Sequence, residues 1–120
     1  MKRKNFNLFE NLMNSVNGLT EVTKNETPMR VEVILLFVMS GLLLFLEMGV
    51  IYKLVLFTSL FLPILAELLN SAVERCVDLV TDDYHELAKH AKDAGSAAVL
   101  ISLIITGLIW VTVLLKAYCF

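Results

Sequence analysis

Residues 97–115 contain no charged side chain, and residues 33–46 contain none either. Stretches of this kind leave few structural options. A bilayer core ~30 Å thick takes about 20 residues of helix, and a helix satisfies its own backbone groups in lipid. A third apolar stretch, residues 54–80, is broken only by a few polar side chains. The chain therefore reads as an all-α membrane protein with three transmembrane helices, at about 31–46, 54–80 and 95–118. Its hydrophobic fraction of 58% and mean hydropathy of +0.74 exceed what a soluble core of this size can bury. At 120 residues it forms one domain, residues 1–120.

Ahead of the first span, Phe6, Phe9, Leu12, Met13, Val16 and Leu19 recur at three- and four-residue steps between Asn7, Glu10, Asn11, Asn14, Asn17 and Glu21. This predicts an amphipathic helix over about 5–24, too polar to span. It suits the membrane interface; a soluble helix packed on the cytoplasmic face is the alternative. Residues 24–28 should break it, because proline disfavours helical geometry in the residue before it. Lys2, Arg3, Lys4, Lys24 and Arg30 precede span one, and Lys89 and Lys92 stand in the 81–93 loop. The 47–53 turn has only Lys53 and the tail only Lys116. Basic residues collect on the cytoplasmic side, so the N-terminus and the 81–93 loop are expected there and the tail outside. The first 30 residues lack a signal peptide's compact apolar core, so insertion should use the internal spans. A net charge of −2 argues against a nucleic-acid binder. Cys76 and Cys119 form no motif and read as small apolar fillers.

Span two departs from a simple anchor. It carries Glu67, Asn70, Ser71, Glu74 and Asp78, and at about 100° per residue these five share one face. Ionisable groups inside a membrane cost ~2.5–3.5 kcal/mol each on insertion scales. That face must meet water, protein or a cation. Arg75, about 80° round the helix from Glu67, is placed to pair with a carboxylate on the flank. One reading is a polar clamp between helices, or a row of carboxylates at the water boundary. The other is a site for a divalent cation and proton transfer, since Mg²⁺ takes carboxylate and phosphate oxygens. Glu67 lies two turns deeper than Glu74, where a general base could meet a hydroxyl held near the membrane surface.

Standard nucleotide-binding motifs are absent: the chain has neither G-x-x-x-x-G-K-[ST] nor G-x-G-x-x-G. The histidines of HELAKH, His85 and His90, are five apart rather than four, so they diverge on a helix and do not make a zinc motif. Lys92-Asp93 reads either as a solvated helix start or as a phosphate contact. Gly95, Ser96, Ala97 and Ala98 permit close helix packing.

ELLNSAVE at residues 67–74 and VDLVTDDYHELAKHAKDAGSAAVL at 77–100 resemble the prokaryotic diacylglycerol kinases, small integral membrane kinases. Related undecaprenol kinases of Gram-positive bacteria share the frame. The likeness is specific over 66–100 and extends more weakly through Asn25, Glu26, Arg30 and Glu32 to the N-terminus. It implies a homotrimer with active sites between subunits at the cytoplasmic face of a bacterial inner membrane. Position by position, Glu67 is similar to the family's catalytic base, and Glu26 and Glu74 to its metal-binding glutamates. Asn70, Lys92 and Asp93 correspond to residues around the ATP phosphates, and Asp83, Tyr84 and His85 to a segment near the nucleotide. Arg30, Glu32 and Ser96, with Glu67, correspond to positions near the lipid substrate. The family's N-terminal helix often carries basic residues on its polar side. Here Asn7, Glu10 and Asn14 stand instead, so no nucleotide contact is assigned to residues 5–14.

The resemblance thus implies an ATP- and Mg²⁺-dependent kinase acting on diacylglycerol. Glu86 and the AGSAAVL start of span three favour that lipid; undecaprenol kinases more often have proline at the Glu86 position. The alternatives are undecaprenol as substrate, or a non-catalytic membrane scaffold, for which three acidic groups and an asparagine on one stripe would have no use. The expected partners are ATP, the lipid alcohol and further copies of the chain, with no nucleic acid.

Overall fold

The computed structural model describes residues 7–120, as five helices: α1 (Leu8–Asn25), α2 (Thr27–Phe45), α3 (Val50–Ser59), α4 (Phe61–Val80) and α5 (Glu86–Tyr118). Phe6 and the basic residues Lys2, Arg3 and Lys4 lie outside the described residues. Three helical segments are long and apolar enough to cross a membrane: Thr27–Phe45, Val50–Val80 and Glu86–Tyr118.

Asn7 caps α1, its side chain accepting from the Phe9 backbone N–H at 3.1 Å, which satisfies a donor the first turn leaves free. The boundary between α1 and α2 is narrower than the sequence suggests. Only Glu26 leaves helical geometry, at φ −116° and ψ 124°. Pro28 sits in the first turn of α2 rather than in a breaking segment. A first-turn residue has no intrahelical acceptor for an N–H, so proline is tolerated there.

The second span is two helices with a joint at Leu60, a feature not anticipated from the sequence. Pro63 explains it. Proline has no N–H to offer the carbonyl four residues back, that of Ser59. Thr106 of α5 supplies the missing partner, its Oγ1 donating to that carbonyl at 3.1 Å. The Ser59 hydroxyl donates to the Leu56 carbonyl at 2.7 Å and accepts from Trp110 Nε1 at 3.2 Å. Leu43, Leu56 and Trp110 form the apolar cluster around this joint. A second cluster, Val22, Met29 and Ile64, ties α1 and α2 to α4.

The third span starts earlier than expected. Helix α5 begins at Glu86, capped by the His85 side chain, which accepts from the Leu87 N–H at 3.2 Å. The polar linker is therefore only residues 81–85. Hydropathy marks where a helix meets lipid, not where it starts, and Leu87, Ala88, Lys89 and Ala91 are strong helix formers. Thirty-three residues run about 50 Å at 1.5 Å per residue, well beyond a ~30 Å hydrocarbon layer. The excess carries Lys89, Lys92 and Asp93 as a polar extension against the Val80 end of α4.

At Gly95, helix α5 lies directly against Asn70 of α4. A methyl group there would meet Asn70 Oδ1 and stand 3.3 Å from its Cγ. Only glycine leaves room for the asparagine amide between the two helices.

Candidate active site

The deeper part of the polar face of span two is covered by the protein itself. Glu67, Asn70 and Ser71 are buried, and they line a cleft of about 620 Å³ together with Glu26, Glu74, Arg75 and Ser96. Three elements build it. Helix α4 supplies the stripe of residues one and two turns apart. The single extended residue between α1 and α2 turns the Glu26 side chain inward. Helix α5 closes the far wall with Ser96 and Val99.

Within the cleft the carboxylates are held in defined directions. Asn70 Nδ2 donates to Glu74 Oε1 at 3.1 Å. Ser71 Oγ donates to Glu26 Oε2, joining residues 45 apart in sequence. Arg75 bridges two acids: Nη1 donates to Glu21 Oε2, and Nη2 donates to Glu26 Oε1 at 2.9 Å. The sequence placed Arg75 for pairing on the flank of the stripe, and its partners come from α1 and the α1–α2 joint rather than from α4. The Arg75 guanidinium, and after it the Asn25 amide, hold the Glu21 carboxyl below the usual carboxylate range.

A neighbouring cleft of about 690 Å³ is lined by Asp83, Tyr84, His85, Lys92 and Asp93. Asp78 lines both clefts and forms an ion pair with Lys92 at 2.5 Å. Asp93 pairs instead with Lys89 at 2.9 Å. The residues expected around a nucleotide thus fall into two adjoining groups. Asn70, Glu74 and Glu26 stand in the first, and the 83–93 set stands in the second, with the Asp78–Lys92 pair between them.

Two expected positions line neither cleft. Arg30 is exposed and donates from Nη2 to Thr27 Oγ1 at 3.0 Å. Glu32 is buried in α2, with Oε2 lacking a hydrogen-bond partner among the described residues and within electrostatic reach of Glu67. Asn70 Oδ1 is also buried without a partner. Sequence reasoning assigned no role to Glu21 or to Ser71 as a donor. Both depend on long-range pairing that periodicity within one helix does not show.

The set fits a hard divalent cation. Glu26 and Glu74 present carboxylate oxygens to one water-accessible cleft, the donor chemistry Mg²⁺ takes. Both oxygens of Glu26 already accept hydrogen bonds. Among the described residues no three His, Cys, Asp or Glu side chains converge on a single ion position. Two protein carboxylates leave the remaining positions for phosphates and water, as Mg²⁺ sites at nucleotides usually do.

Comparison with known proteins gives the family. The family described as prokaryotic diacylglycerol kinase matches residues 13–114. A diacylglycerol kinase of Haemophilus influenzae is 43% identical over 96 residues, covering 80% of this chain and 81% of the relative. That of Escherichia coli is 38% identical over 96 residues, 80% and 79% of the two chains. One from Helicobacter pylori is 39% identical over 118 residues, 98% and 92% of the two chains. The match runs through the membrane-crossing segments and both clefts, and the chain belongs to the prokaryotic diacylglycerol kinase family.

Proposed function

We propose that this protein transfers the γ-phosphate of ATP to the free hydroxyl of diacylglycerol, giving phosphatidic acid at the cytoplasmic surface of a bacterial inner membrane. The observation that carries the reading is the meeting of Glu67, Asn70 and Glu74 with Glu26 in one cleft at the polar end of membrane-crossing helices. Relatives named diacylglycerol kinase over most of the chain support this lipid rather than undecaprenol.

The residues divide the work by depth. Glu67, the most buried carboxylate lining the cleft, accepts the proton of the lipid hydroxyl as its oxygen attacks the γ-phosphorus, and ADP leaves in line. Glu74, oriented by Asn70, and Glu26, oriented by Ser71, would hold Mg²⁺. The ion supplies charge neutralisation at the phosphates, the main need of phosphoryl transfer. Lys92 and Asp93 stand toward the phosphates, and Asp83, Tyr84 and His85 toward the rest of the nucleotide. Arg30, Glu32 and Ser96 border the lipid. Helix α1 lies in the membrane interface: Leu8, Phe9, Leu12, Met13, Val16 and Leu19 are exposed in the isolated chain, and such a face suits the boundary of the acyl chains. The working unit is a homotrimer, in which a neighbouring copy completes each site.

Purified protein assayed with ATP-Mg and a panel of lipid alcohols tests the reading. Phosphatidic acid from diacylglycerol is the expected product. Faster phosphorylation of undecaprenol would reassign the substrate, and no transfer to any lipid would leave a scaffold. Orientation is tested by impermeant labelling of Val50→Cys and His85→Cys in cells, on a background lacking Cys76 and Cys119. Position 50 should label and position 85 should not.

A further inference from the structure

The first cleft is lined by four carboxylates, Glu26, Glu67, Glu74 and Asp78, and by a single cationic side chain, Arg75. Lys92 stands on the other side of Asp78 and is paired with it. A polyphosphate entering the cleft would meet this concentration of negative charge. Among the described residues, the one cationic side chain lining the cleft is already in use: Arg75 is bonded to Glu21 and Glu26. Its side chain is nonetheless 46% exposed, and that of Glu26 is 23% exposed. A half-exposed arginine on a long flexible stem can exchange partners at little cost, whereas Glu26 is fixed from below by Ser71.

Resting on the kinase reading above, we propose that Arg75 is a resident counter-ion for Glu26. It occupies the carboxylate while the cleft lacks nucleotide. When the metal–nucleotide arrives, it exchanges Glu26 for the phosphate oxygens. Glu21 is the anchor that keeps the guanidinium at the cleft mouth in both states. The chemistry suits each partner, since a guanidinium fork donates to carboxylate and phosphate oxygens alike. Both Glu26 oxygens accept hydrogen bonds, one from Ser71 and one from Arg75, and of the two donors only Arg75 has a second carboxylate to hold it when it lets go. The cation that must leave is the one that then binds the incoming charge.

This gives two effects of opposite sign. Removing Arg75 frees Glu26 and deletes a positive charge beside the metal position, so a divalent ion alone should bind more tightly. The same change removes a phosphate contact, so nucleotide should bind less tightly. The probe is Mn²⁺ binding to nucleotide-free protein in detergent, followed by the electron paramagnetic resonance of the free ion. For Arg75→Gln we expect Mn²⁺ affinity to rise about threefold to tenfold, with KM for ATP-Mg rising by a similar factor and kcat changing less. Arg75→Lys keeps the charge, so its Mn²⁺ affinity should stay within about twofold of the parent. A structural tether alone would leave Mn²⁺ affinity unchanged or lower it in Arg75→Gln, and either result overturns the proposal. If Arg75→Gln does not fold, the outcome rests on Glu21→Gln. Releasing the anchor there should raise KM for ATP-Mg, and an unchanged KM counts against the exchange. Parent protein that binds Mn²⁺ but phosphorylates no lipid would remove the kinase reading, while the two Mn²⁺ affinities still decide whether Arg75 guards the ion site.

Discussion

The two halves of the second span treat polar groups in opposite ways. In the Val50 half the polar groups at the joint are paired. The Ser59 carbonyl, freed by Pro63, accepts from Thr106, and the Ser59 hydroxyl is shared between Leu56 and Trp110. In the Val80 half, Glu67, Asn70 and Ser71 are buried along a cleft. There Asn70 Oδ1 has no partner among the described residues, and neither does Oε2 of Glu32 nearby in α2; a third buried oxygen of this kind, the Ser40 hydroxyl, also stands in α2. A buried polar group without a partner costs about 1–3 kcal/mol. One half uses polar atoms to repair a helix joint. The other carries unmet polar demand that a ligand or a second copy of the chain can meet.

The contrast is broken most directly at Glu67. Glu67→Gln keeps size and polarity but cannot accept the hydroxyl proton. Turnover of diacylglycerol should fall ~10²–10⁴-fold, the usual range for general base catalysis, with ATP affinity largely kept. Lipid phosphorylation rate measured beside ATP affinity tests this. A variant within a few-fold of the parent would exclude Glu67 as the base and make the Val80 half a polar clamp like the other.

The next effect comes from Gly95, which touches no proposed ligand. Alanine there would force out the Asn70 amide, and with it the bond that orients Glu74. Supporting groups of this kind are worth roughly 10–100-fold in activity or metal affinity, so Gly95→Ala should lose about tenfold or more. In an Asn70→Ala background the steric conflict is gone, and Gly95→Ala should cost little further. Full additivity of the two changes would show that Gly95 acts by helix packing alone.

These two residues also show what the sequence could reveal. Glu67, Asn70, Ser71 and Glu74 were legible as one face because helical rotation is fixed. The three spans were legible because lipid demands long uncharged helices. The joint at Leu60 escaped notice because one proline inside a long apolar stretch does not disturb hydropathy. The early start of α5 was hidden because its first turns are polar. The Glu21–Arg75–Glu26 bridge links residues 49 and 54 apart, and no periodicity within one helix encodes a contact between helices. The sequence marks Gly95 as small, but the Asn70 amide it makes room for stands 25 residues away on another helix.

In the Val50 half the expected effects are smaller and fall on stability. Thr106→Val removes the donor to the Ser59 carbonyl. Hydrogen bonds between membrane helices average about 0.6 kcal/mol, so the loss should be of that order, with lipid phosphorylation unchanged within about twofold. Pro63→Ala restores an N–H four residues after Ser59, giving its carbonyl a partner within its own helix. Thr106→Val should then cost less in that background than alone, measured by denaturation in mixed micelles. Equal costs in both backgrounds would mean that Thr106 is not repairing the proline joint.

The smallest expected effect joins the two regions to α1 and depends on pH. The Glu21 carboxyl is held below the ordinary carboxylate range, chiefly by its hydrogen bond from Arg75. A depressed carboxyl binds protons less readily when the bridge is made than when it is open, so the bridge favours the ionised form. Its contribution is fully present above the carboxyl's unperturbed value of about 4.3. It is lost as pH falls through the lowered value of the closed state. At neutral pH the bridge is therefore closed, and acidification should loosen the Asn25 end of α1 from α4. Both partners are exposed, so the pair is screened by salt and its effect is modest. Hydrogen exchange along α1, followed from pH 6 downward, should show amides near Glu21 losing protection at acid pH. Raising the salt concentration should reduce the difference, and Glu21→Gln should abolish it. Acid-induced loosening that persists in Glu21→Gln would place the titrating group elsewhere and leave α1 held by Val22 against Met29 and Ile64.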